Sequence, residues 1–511
     1  MHSFKADFET DILVVGYGGA GAVAAIAAYD AGAKVTVIEK RSLGGGATRV
    51  ASGGIFIAKG MEFADYLDKI FLHRTPKDIL DVYVKHDIEL EKYCEAIGVP
   101  IARWGGNSQE VSVSYPPLGR PSWPAVSGGD MIRVHAADPD EKPVDPEVWK
   151  NMTNNERVWE IGRTYGIHLW NHLKARTEER DIDIHYNVRA RKLNRNENGE
   201  VIGVTADKDG SIVTYKAKKA VILCTGGFCS NKEMLETYLS VPFEYLATND
   251  FAHGDGQIMC QKIGAKMWHM NAVVGQIAFK APEFDMAFQA RAVSEEFIWV
   301  DKFGRRYADE TTVKLHNAWR KVAEFDPETN MEDGREWPRV PVYMIFDETT
   351  RKKAPISRDW RPDGDYKWSL DNMAEIERGW ITKADTIEEL AKKVGMEPSV
   401  LALTVARFNE YCRTGVDEEF GRDAKTMKPI SSGPFYAMPW VPCMISTAGG
   451  PAHDKDSRVI DYDGKPIPRL YAAGELSTVV GWLYEAGLGH SECIVFGKIA
   501  GENAAREASL E

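Results

Sequence analysis

The stretch that decides the fold is residues 11–39, DILVVGYGGAGAVAAIAAYDAGAKVTVIE. Its apolar run at 11–15 predicts a strand that ends in a glycine turn. The small residues at 22–31 predict a helix, and a second apolar run at 34–38 predicts a strand that ends on Glu39. Strand, glycine turn, helix, strand and acid together make a complete βαβ unit of the kind that binds dinucleotides.

Each special residue of this unit has a physical role. Gly16 permits the tight turn, Gly18 lets the backbone approach a pyrophosphate, and Gly21 lets the helix pack closely on the strand. The free N–H groups at the start of the helix then face the phosphates. Glu39 ends the second strand where a ribose diol needs two hydrogen bonds. We therefore expect Glu39 to hold the adenosine half of the cofactor.

Outside this unit the chain changes character. Residues 41–54, RSLGGGATRVASGG, place the hydroxyls of Thr48 and Ser52 between glycines, which suits a backbone pressed against a large flat ligand. Residues 100–160 are irregular and rich in Trp, Pro and Gly, and a long segment of this kind predicts a lid. Residues from about 275 to 430 mix strands with charge-rich helices and have no glycine turns, so we predict a separate inserted domain there.

Composition bounds the class of protein. The 511 residues are 44% hydrophobic and 10% aromatic, which is enough for packed cores in two or three domains and excludes global disorder. The net charge of −13 argues against a general binder of nucleic acid or anionic membranes. No window approaches the ~18 apolar residues of a membrane span. The polar residues 1–10 lead straight into a strand, so we expect no signal peptide.

The seven cysteines predict neither a metal site nor a disulfide scaffold. They are scattered and include no CxxC or CxxCH, so a zinc ribbon, an iron–sulfur cluster and an attached haem all lack their ligand spacing. We expect no bound metal. Buried, reduced thiols are typical of cytosolic proteins, and the predicted location is therefore cytoplasmic.

Further motifs follow the βαβ unit in order: GGGAT…SGG at 44–54, CTGG at 224–227, HGDG at 253–256, AAGE at 472–475 and a terminal helix at about 491–506. Together they run over the whole chain, and the pattern resembles the flavoprotein family of fumarate reductases, succinate dehydrogenases and 3-ketosteroid dehydrogenases. The resemblance implies that FAD is the dinucleotide. It also implies an α/β fold, in which an α+β catalytic (capping) domain is inserted into a Rossmann-type FAD-binding domain.

On this resemblance we expect three segments. Residues 1–275 form the first part of the FAD-binding domain, with the lid-like segment 100–160; residues 276–430 form the catalytic domain; residues 431–511 return to the FAD-binding domain. The resemblance also implies a set of cofactor-binding residues: Gly16, Gly18, Gly19, Ala20, Glu39, Lys40, Gly46, Ala47, Thr48, Ser52, Gly53, Gly54, Val188, Thr225, Gly226, Asp255, Gly474, Glu475, Gly489 and His490.

Two of these positions bear on how the flavin is held. Succinate dehydrogenases of the family link FAD covalently through a histidine in the second glycine loop, and the corresponding residue here is Ala47. We therefore expect non-covalent FAD. Gly489-His490 opens the terminal helix, whose positive N-terminus would stabilise negative charge on the N1–C2=O edge of the reduced flavin.

The residues that hold fumarate in the family's fumarate reductases are all changed. An arginine before the glycines of the terminal motif corresponds to Tyr484, a histidine before the Gly449-Gly450 pair corresponds to Ser446, and the proton-donating arginine corresponds to Lys314. A buried dicarboxylate needs charged or strong donors. In its site this chain does not resemble a fumarate reductase.

The 3-ketosteroid dehydrogenase branch is the better match. It has a tyrosine at the position of Tyr484 and a further tyrosine in the lid, for which Tyr115 is the equivalent, but it has another tyrosine where this chain has Lys314. We take these three as candidate catalytic residues, and Ser446 and Gly487 as candidate substrate-binding residues. Ordinary packing is the alternative role for the two tyrosines, and a solvated helix position is the alternative for Lys314.

The resemblance implies an FAD-dependent oxidoreductase that acts on a CH–CH bond next to a carbonyl. It would dehydrogenate a cyclic ketone or ketosteroid, or reduce an enone, with hydride transfer to or from flavin N5 and an external electron acceptor or donor. A phenol can donate to the carbonyl oxygen or, as phenolate, take the α proton, and Lys314 near it would favour the phenolate. The alternative enzyme is an enoate reductase of the fumarate-reductase type for a monocarboxylate such as an aryl-acrylate, with Lys314 as ligand or proton donor. A non-catalytic alternative is a flavin-holding subunit that passes electrons to a partner.

Overall fold

The computed structural model describes residues 6–51, 53–103, 112–114, 130–136, 165–239, 245–246, 251–284, 287–288, 296–312, 315–326, 337–356, 366, 368–485 and 487–510. The strands in these ranges are β1 (Phe8–Val15), β2 (Val35–Ile38), β3 (Ile55–Ala58), β4 (Ile101–Arg103), β5 (Ser112–Ser114), β6 (Asp130–Ala136), β7 (Asp183–His185), β8 (Val188–Arg195), β9 (Val201–Lys208), β10 (Ser211–Leu223), β11 (Tyr245–Leu246), β12 (Met267–Trp268), β13 (Val273–Ala278), β14 (Ile298–Val300), β15 (Val342–Asp347), β16 (Thr382–Ala384), β17 (Phe435–Thr447), β18 (Gly450–Pro451), β19 (Arg458–Ile460) and β20 (Pro466–Ala472). The α-helices are α1 (Gly19–Asp30), α2 (Gly46–Val50), α3 (Glu62–Ile70), α4 (Lys77–Ile88), α5 (Leu90–Ala96), α6 (Tyr165–Glu179), α7 (Lys232–Tyr238), α8 (Asp255–Lys262), α9 (Trp319–Val322), α10 (Glu348–Lys353), α11 (Met373–Glu377), α12 (Ile387–Lys393), α13 (Pro398–Thr414) and α14 (Leu488–Arg506). Short 3-10 helices span Glu310–Thr312, Leu315–Asn317, Ala424–Thr426 and Gly474–Ser477.

The first sheet has parallel strands at its centre, in the order β7-β2-β1-β10-β20. The ends of β1 and β2 are buried on both faces, which explains their unbroken apolar sequence. Strand β9 pairs antiparallel with β10 and β8, and β19 pairs antiparallel with β20. The predicted βαβ unit is present as β1, α1 and β2, and Glu39 follows β2 directly.

Helices α1 and α14 lie against each other because small residues form their contact. A Cβ atom on Gly501 would lie 2.4 Å from the carbonyl oxygen of Ala24, and one on Gly497 would lie 2.9 Å from that of Ala20. Real Cβ atoms do not approach backbone oxygen this closely, so both positions require glycine. The predicted terminal helix is therefore part of the core of the first sheet.

The second sheet is built around the long strand β17. Strands β11, β13, β15 and β16 all pair with β17, and β14 pairs with β15. The segment boundaries that we predict from the sequence stay predictions. Strand β13 spans the predicted boundary at 275/276 and β17 follows the predicted boundary at 430/431, and the two strands pair with each other in this sheet.

Most of the lid-like segment 100–160 lies outside the described residues. Its described parts are β4, β5 and β6, which form an antiparallel sheet with β3. None of the helices in the described ranges combines the length and the apolar character that a bilayer crossing requires. All seven cysteines lie in these ranges, none forms a disulfide, and five are buried.

A buried ionic cluster joins residues 306–310, which follow β14 of the second sheet, to residues 417–422. Arg306 donates to Glu310 (Nε–Oε1 3.0 Å) and to Asp417 (Nη2–Oδ2 2.9 Å), and Arg422 donates to the other Glu310 oxygen at 2.9 Å. The four side chains are at most 1% exposed. Two positive and two negative charges balance, which is the condition for burying them.

We predict that Glu310→Gln destabilises the protein by about 3–5 kcal/mol, because it removes the carboxylate that both buried guanidiniums share and leaves Arg306 paired only with Asp417 and the partly exposed Glu419. The free energy of unfolding is measured by urea denaturation of the holoprotein. Asp81→Asn is the control, since it breaks the exposed pair of Asp81 with Lys77 and should cost less than about 1 kcal/mol. Equal small losses for both variants would contradict the prediction.

Candidate functional site

A cleft of about 870 Å³ lies at the carboxyl ends of the parallel strands β1, β2, β10 and β20. Open parallel sheets bind ligands at this edge. We call it the cofactor cleft. Predicted cofactor-binding residues that line it are Gly16, Gly18, Gly19, Ala20, Glu39, Lys40, Gly46, Ala47, Thr48, Val188, Thr225, Gly226, Asp255 and Glu475.

The glycine turn leaves room that side chains would fill. Gly16 has φ +100°, and a Cβ there would lie 2.4 Å from the carbonyl oxygen of Cys224. A Cβ on Gly21 would lie 1.9 Å from the Gly16 oxygen. These contacts agree with the tight turn and the close helix packing that we predict. At Gly18 the nearest atom to an added Cβ is the Gly45 oxygen at 3.7 Å, so the protein itself does not require glycine there and the predicted approach of a pyrophosphate supplies the reason.

Glu39 holds the glycine turn as well as facing the cleft. Its carboxylate accepts hydrogen bonds from the backbone N–H groups of Tyr17 at 2.8 Å and Arg41 at 3.0 Å. The side chain is buried, yet it lines the cofactor cleft. Each oxygen keeps a lone pair in addition to its backbone bond, so the carboxylate can still accept from a ribose diol.

A charged group stands beside Glu39. Asp255, at the start of α8, accepts from Arg189 at 2.7 Å and lies 3.4 Å from Lys40 Nζ. Burial raises the pKa of Asp255, but the Arg189 hydrogen bond and the Lys40 charge outweigh burial and hold that pKa below its usual value. Burial lowers the pKa of Lys40. This group keeps a carboxylate and two cations at one end of the cleft.

A buried hydroxyl in the cofactor cleft lacks a hydrogen-bond partner among the described residues. In the described part of the chain, Thr225 Oγ1 is buried and has no hydrogen-bond partner. A buried hydroxyl without a partner carries a desolvation cost of roughly 1–3 kcal/mol, which a polar group of a bound cofactor would remove. The cradle at Gly16, the free face of Gly18, the Glu39 carboxylate and this hydroxyl together fit FAD.

A second cleft of about 1070 Å³ continues from the first. The two share Ala47, Thr48, Glu475 and Cys493. We call it the substrate cleft. Predicted residues that line it, besides the three shared with the cofactor cleft, are Gly54, Ser446, Tyr484, Gly487, Gly489 and His490.

Tyr484 is placed by the start of helix α14. The backbone N–H of Gly489 donates to the Tyr484 hydroxyl oxygen at 3.2 Å. The ring stands edge-on to the imidazole of His316, with centroids 5.3 Å apart and planes at 87°. The hydroxyl therefore sits at the positive end of a helix and inside the cleft.

Burial sets the charge of the other titratable groups around the substrate cleft. It raises the pKa of Glu475 to about 7 and that of Glu492 to about 8. It lowers the pKa of His490, whose ring nitrogen Nδ1 lies 3.0 Å from the Gly54 oxygen and acts as the donor. At neutral pH Glu492 is thus mostly protonated and His490 is neutral.

Some predicted residues are not brought to either cleft. Gly53 and Gly474 lie next to lining residues but do not line a cleft themselves. Ser52, Tyr115 and Lys314 lie outside the described residues, so their roles stay predictions.

Sequence reasoning missed Arg189, His316, Thr478 and Glu492, which line the two clefts. His316 is two residues from Lys314 and offered a signal, because an imidazole two positions from a candidate proton donor is itself a candidate. The other three carry no spacing or motif that distinguishes them from ordinary surface or packing residues.

We predict that Glu39→Ala lowers the affinity for FAD by roughly ten- to a hundredfold. The change removes a charged acceptor worth about 1–3 kcal/mol and also releases the Tyr17 and Arg41 N–H groups. FAD dissociation constants are measured by fluorescence titration of the apoprotein. Asp11→Ala is the matched control, because the Asp11 carboxylate likewise accepts a backbone N–H, that of Lys34, but away from the cleft. Parent affinity in Glu39→Ala would show that the acid is not at the ribose.

We also predict that FAD is bound without a covalent link. Ala47 lines both clefts at the position of the linking histidine and has no group that can form the bond. Acid or heat denaturation should therefore release yellow flavin into the supernatant. Flavin that stays with the precipitated protein would overturn this expectation.

Comparison with known proteins agrees with the fold and the cofactor cleft. A probable fumarate reductase of Shewanella frigidimarina is 28% identical over 504 residues, which cover 98% of this chain and 75% of the relative. A 3-oxosteroid 1-dehydrogenase of Mycolicibacterium smegmatis is 27% identical over an alignment of 587 positions, which covers 98% of each protein. Among solved structures, a 3-ketosteroid Δ1-dehydrogenase from Sterolibacterium denitrificans is similar with a TM-score of 0.80 at 23% identity, over 97% of this chain and 99% of that one.

These findings confirm the predicted resemblance and the predicted fold class, a mixed α/β fold with an FAD-binding domain and a capping domain. They also confirm FAD as the cofactor. The family described as FAD binding domain matches residues 11–489, and this chain belongs to that family.

Proposed function

We propose that this FAD-dependent oxidoreductase acts on a CH–CH bond next to a ketone carbonyl, either by forming the Cα–Cβ double bond or by reducing an enone. Tyr484 carries the proposal. Its hydroxyl lies in the substrate cleft at the N-terminus of α14, where a phenol can bind a neutral carbonyl without burying an unpaired charge. The described residues that line this cleft include no arginine or lysine, the side chains that a dicarboxylate would need.

The chain's own residues would stabilise the substrate oxygen. Bound FAD supplies the acceptor or donor of hydride. The Tyr484 oxygen accepts the Gly489 N–H, and a phenol placed there can donate its O–H to a substrate carbonyl. Negative charge that develops on that carbonyl oxygen is then stabilised by the phenol and, behind it, by the positive end of α14.

The α proton needs a second group. Lys314 and Tyr115 are our candidates from the sequence, and the side chain of His316 lines the cleft beside Tyr484. A lysine near a tyrosine favours the charged form of both side chains, and the phenolate of that tyrosine could then take the α proton near neutral pH. A cytoplasmic location and an external electron acceptor or donor complete the proposal.

The lining of the substrate cleft suits an apolar, ring-containing substrate. Aliphatic side chains contribute to its wall from several elements, namely those of Val50, Val274, Ile445 and Val480. Burying a flat hydrocarbon against such a wall contributes roughly 25 cal/mol for each Å² removed from water. A cyclic ketone or ketosteroid offers this area together with a single carbonyl for Tyr484.

The alternative is an enoate reductase of the fumarate-reductase type for a monocarboxylate such as an aryl-acrylate. The similarity to a probable fumarate reductase favours it. Ser446 and His316, both in the substrate cleft, could donate to one carboxylate, and Lys314 would then serve as ligand or proton donor. A panel of ketosteroids, cyclohexanones and cinnamates, assayed in both directions, separates the two functions. A flavin that no member of the panel reduces or reoxidises would point to an electron-passing subunit.

We predict that Tyr484→Phe retains FAD and the fold but slows flavin reduction on the order of 10²-fold or more. This is the scale of losing one positioned acid–base or oxyanion-stabilising group, and the cost should fall on the chemical step more than on binding. Anaerobic stopped-flow measures the limiting rate with the best substrate of the panel.

Tyr471→Phe is the matched control for this variant, because it removes a hydroxyl that donates to Glu507 at 2.8 Å, away from both clefts. Its rate should equal that of the parent. Lys314→Met tests the second group in the same way and should slow reduction comparably. A parent rate in Tyr484→Phe would refute the ketone site and leave the enoate reductase as the better proposal.

A further inference from the structure

Asn317 contacts the backbone of Tyr484 from a distant part of the chain. It ends the 3-10 helix Leu315–Asn317, in the segment that follows the buried ionic cluster. Its Nδ2 donates to the Tyr484 carbonyl oxygen at 3.0 Å, and the Tyr484 N–H donates to Asn317 Oδ1 at 3.4 Å. The Asn317 side chain is buried. One amide thus satisfies both backbone polar groups of the residue that carries the proposed function.

The same segment contacts the Tyr484 loop at a second point. Arg320 donates through Nη2 to the carbonyl oxygen of Trp482 at 2.8 Å, and its guanidinium stacks on the Trp482 ring at 3.8 Å. Arg74 lies on the same ring at 4.1 Å. The loop is therefore held at residues 482 and 484 by side chains from residues 317 and 320.

These contacts fix one end of the tyrosine, and helix α14 fixes the other. The backbone of Tyr484 is bound by Asn317, and its hydroxyl accepts the Gly489 N–H at 3.2 Å. A phenol that is bound at both ends has little freedom to move away from the substrate oxygen. Errors of about 1 Å in such a position can cost up to 10²-fold in rate.

We propose that Asn317 is a positioning residue for Tyr484, which couples the segment after the ionic cluster to the phenol in the substrate cleft. The proposal rests on the proposed function of Tyr484. Asn317 acts through the backbone, since no described bond joins its amide to the phenol hydroxyl. Because the amide is neutral, it holds the loop without adding charge to a cleft that receives a neutral carbonyl. Alanine at position 317 would leave the Tyr484 N–H and carbonyl without these bonds.

A double-mutant cycle tests the proposal with Asn317→Ala, Tyr484→Phe and the combined variant, each as the FAD-loaded protein. The limiting rate of flavin reduction and the substrate concentration at half-saturation come from anaerobic stopped-flow. We expect Asn317→Ala to lower the limiting rate about tenfold in the parent, with half-saturation changed less than twofold. In the Tyr484→Phe background the same change should alter the rate less than twofold, because the group it positions is already gone.

Asn409→Ala is the matched control, because the Asn409 side chain makes the same two-way bond with the backbone of Ile430, at 2.9 and 2.7 Å, away from the clefts. It should lower the melting temperature and leave the reduction rate at the parent value. If Asn317→Ala fails to retain FAD, Asn317→Ser, which keeps a hydroxyl for one of the two bonds, replaces it in the cycle.

The outcomes separate the two proposals. Equal slowing by Asn317→Ala in both backgrounds overturns the positioning role while leaving the function of Tyr484 intact. A parent rate for Asn317→Ala also overturns it. A parent rate for Tyr484→Phe overturns the proposed function itself, and the positioning role with it.

Discussion

The structure depends on the absence of side chains where β1 turns into α1. Gly16 and Gly21 lie so close to Cys224 and to each other that a Cβ atom at either position would overlap backbone oxygen, at 2.4 and 1.9 Å. This closeness directs the N-terminus of α1 at the cofactor cleft. The same need for glycine applies where α14 packs on α1, because Gly497 and Gly501 allow the two helices to approach closely. Because α14 is fixed in this way, its own N-terminus reaches the second cleft.

Beside the hydrophobic packing of the second sheet, buried charges help to fix the position of the chain. Arg306, Arg422, Glu310 and Asp417 form a neutral cluster that cannot shift without separating buried charges. The chain runs from Glu310 to Asn317 within a few residues, so the cluster also limits where Asn317 lies. The Tyr484 loop thus receives its position from two unrelated sources, the glycine-mediated contact of α14 and the ionic cluster of the second sheet.

Local sequence patterns predicted the centre of the first sheet well, because the residues that specify the βαβ unit all lie within residues 11–39. The strand, the glycine turn, the helix and Glu39 each have a physical signature within a few positions. The placement of β17 was beyond such reasoning. Its partner β15 lies some ninety residues earlier in the chain, and pairing over that distance leaves no local pattern. For the same reason Asn317 carried no signal, since its function comes from a contact with a residue 167 positions away.

The chemistry of the candidate residues could likewise be predicted only in part from the sequence. Tyr484 could be singled out because one branch of the family it resembles has an arginine at that position and another has a tyrosine, and the structure has Tyr484 in the lining of the substrate cleft. The protonation of Glu475 and Glu492 could not be predicted, because burial raises their pKa to about 7 and about 8, and only the packed structure determines burial. The described wall of the substrate cleft contains no arginine or lysine and its His490 is neutral, so the N-terminus of α14 is its main source of positive potential. Such a wall favours a substrate that enters neutral over a dianion. Under the proposed function the substrate oxygen becomes negative only as the reaction proceeds. The helix end then stabilises the transition state more than the bound ground state, which is the condition for faster chemistry rather than tighter binding.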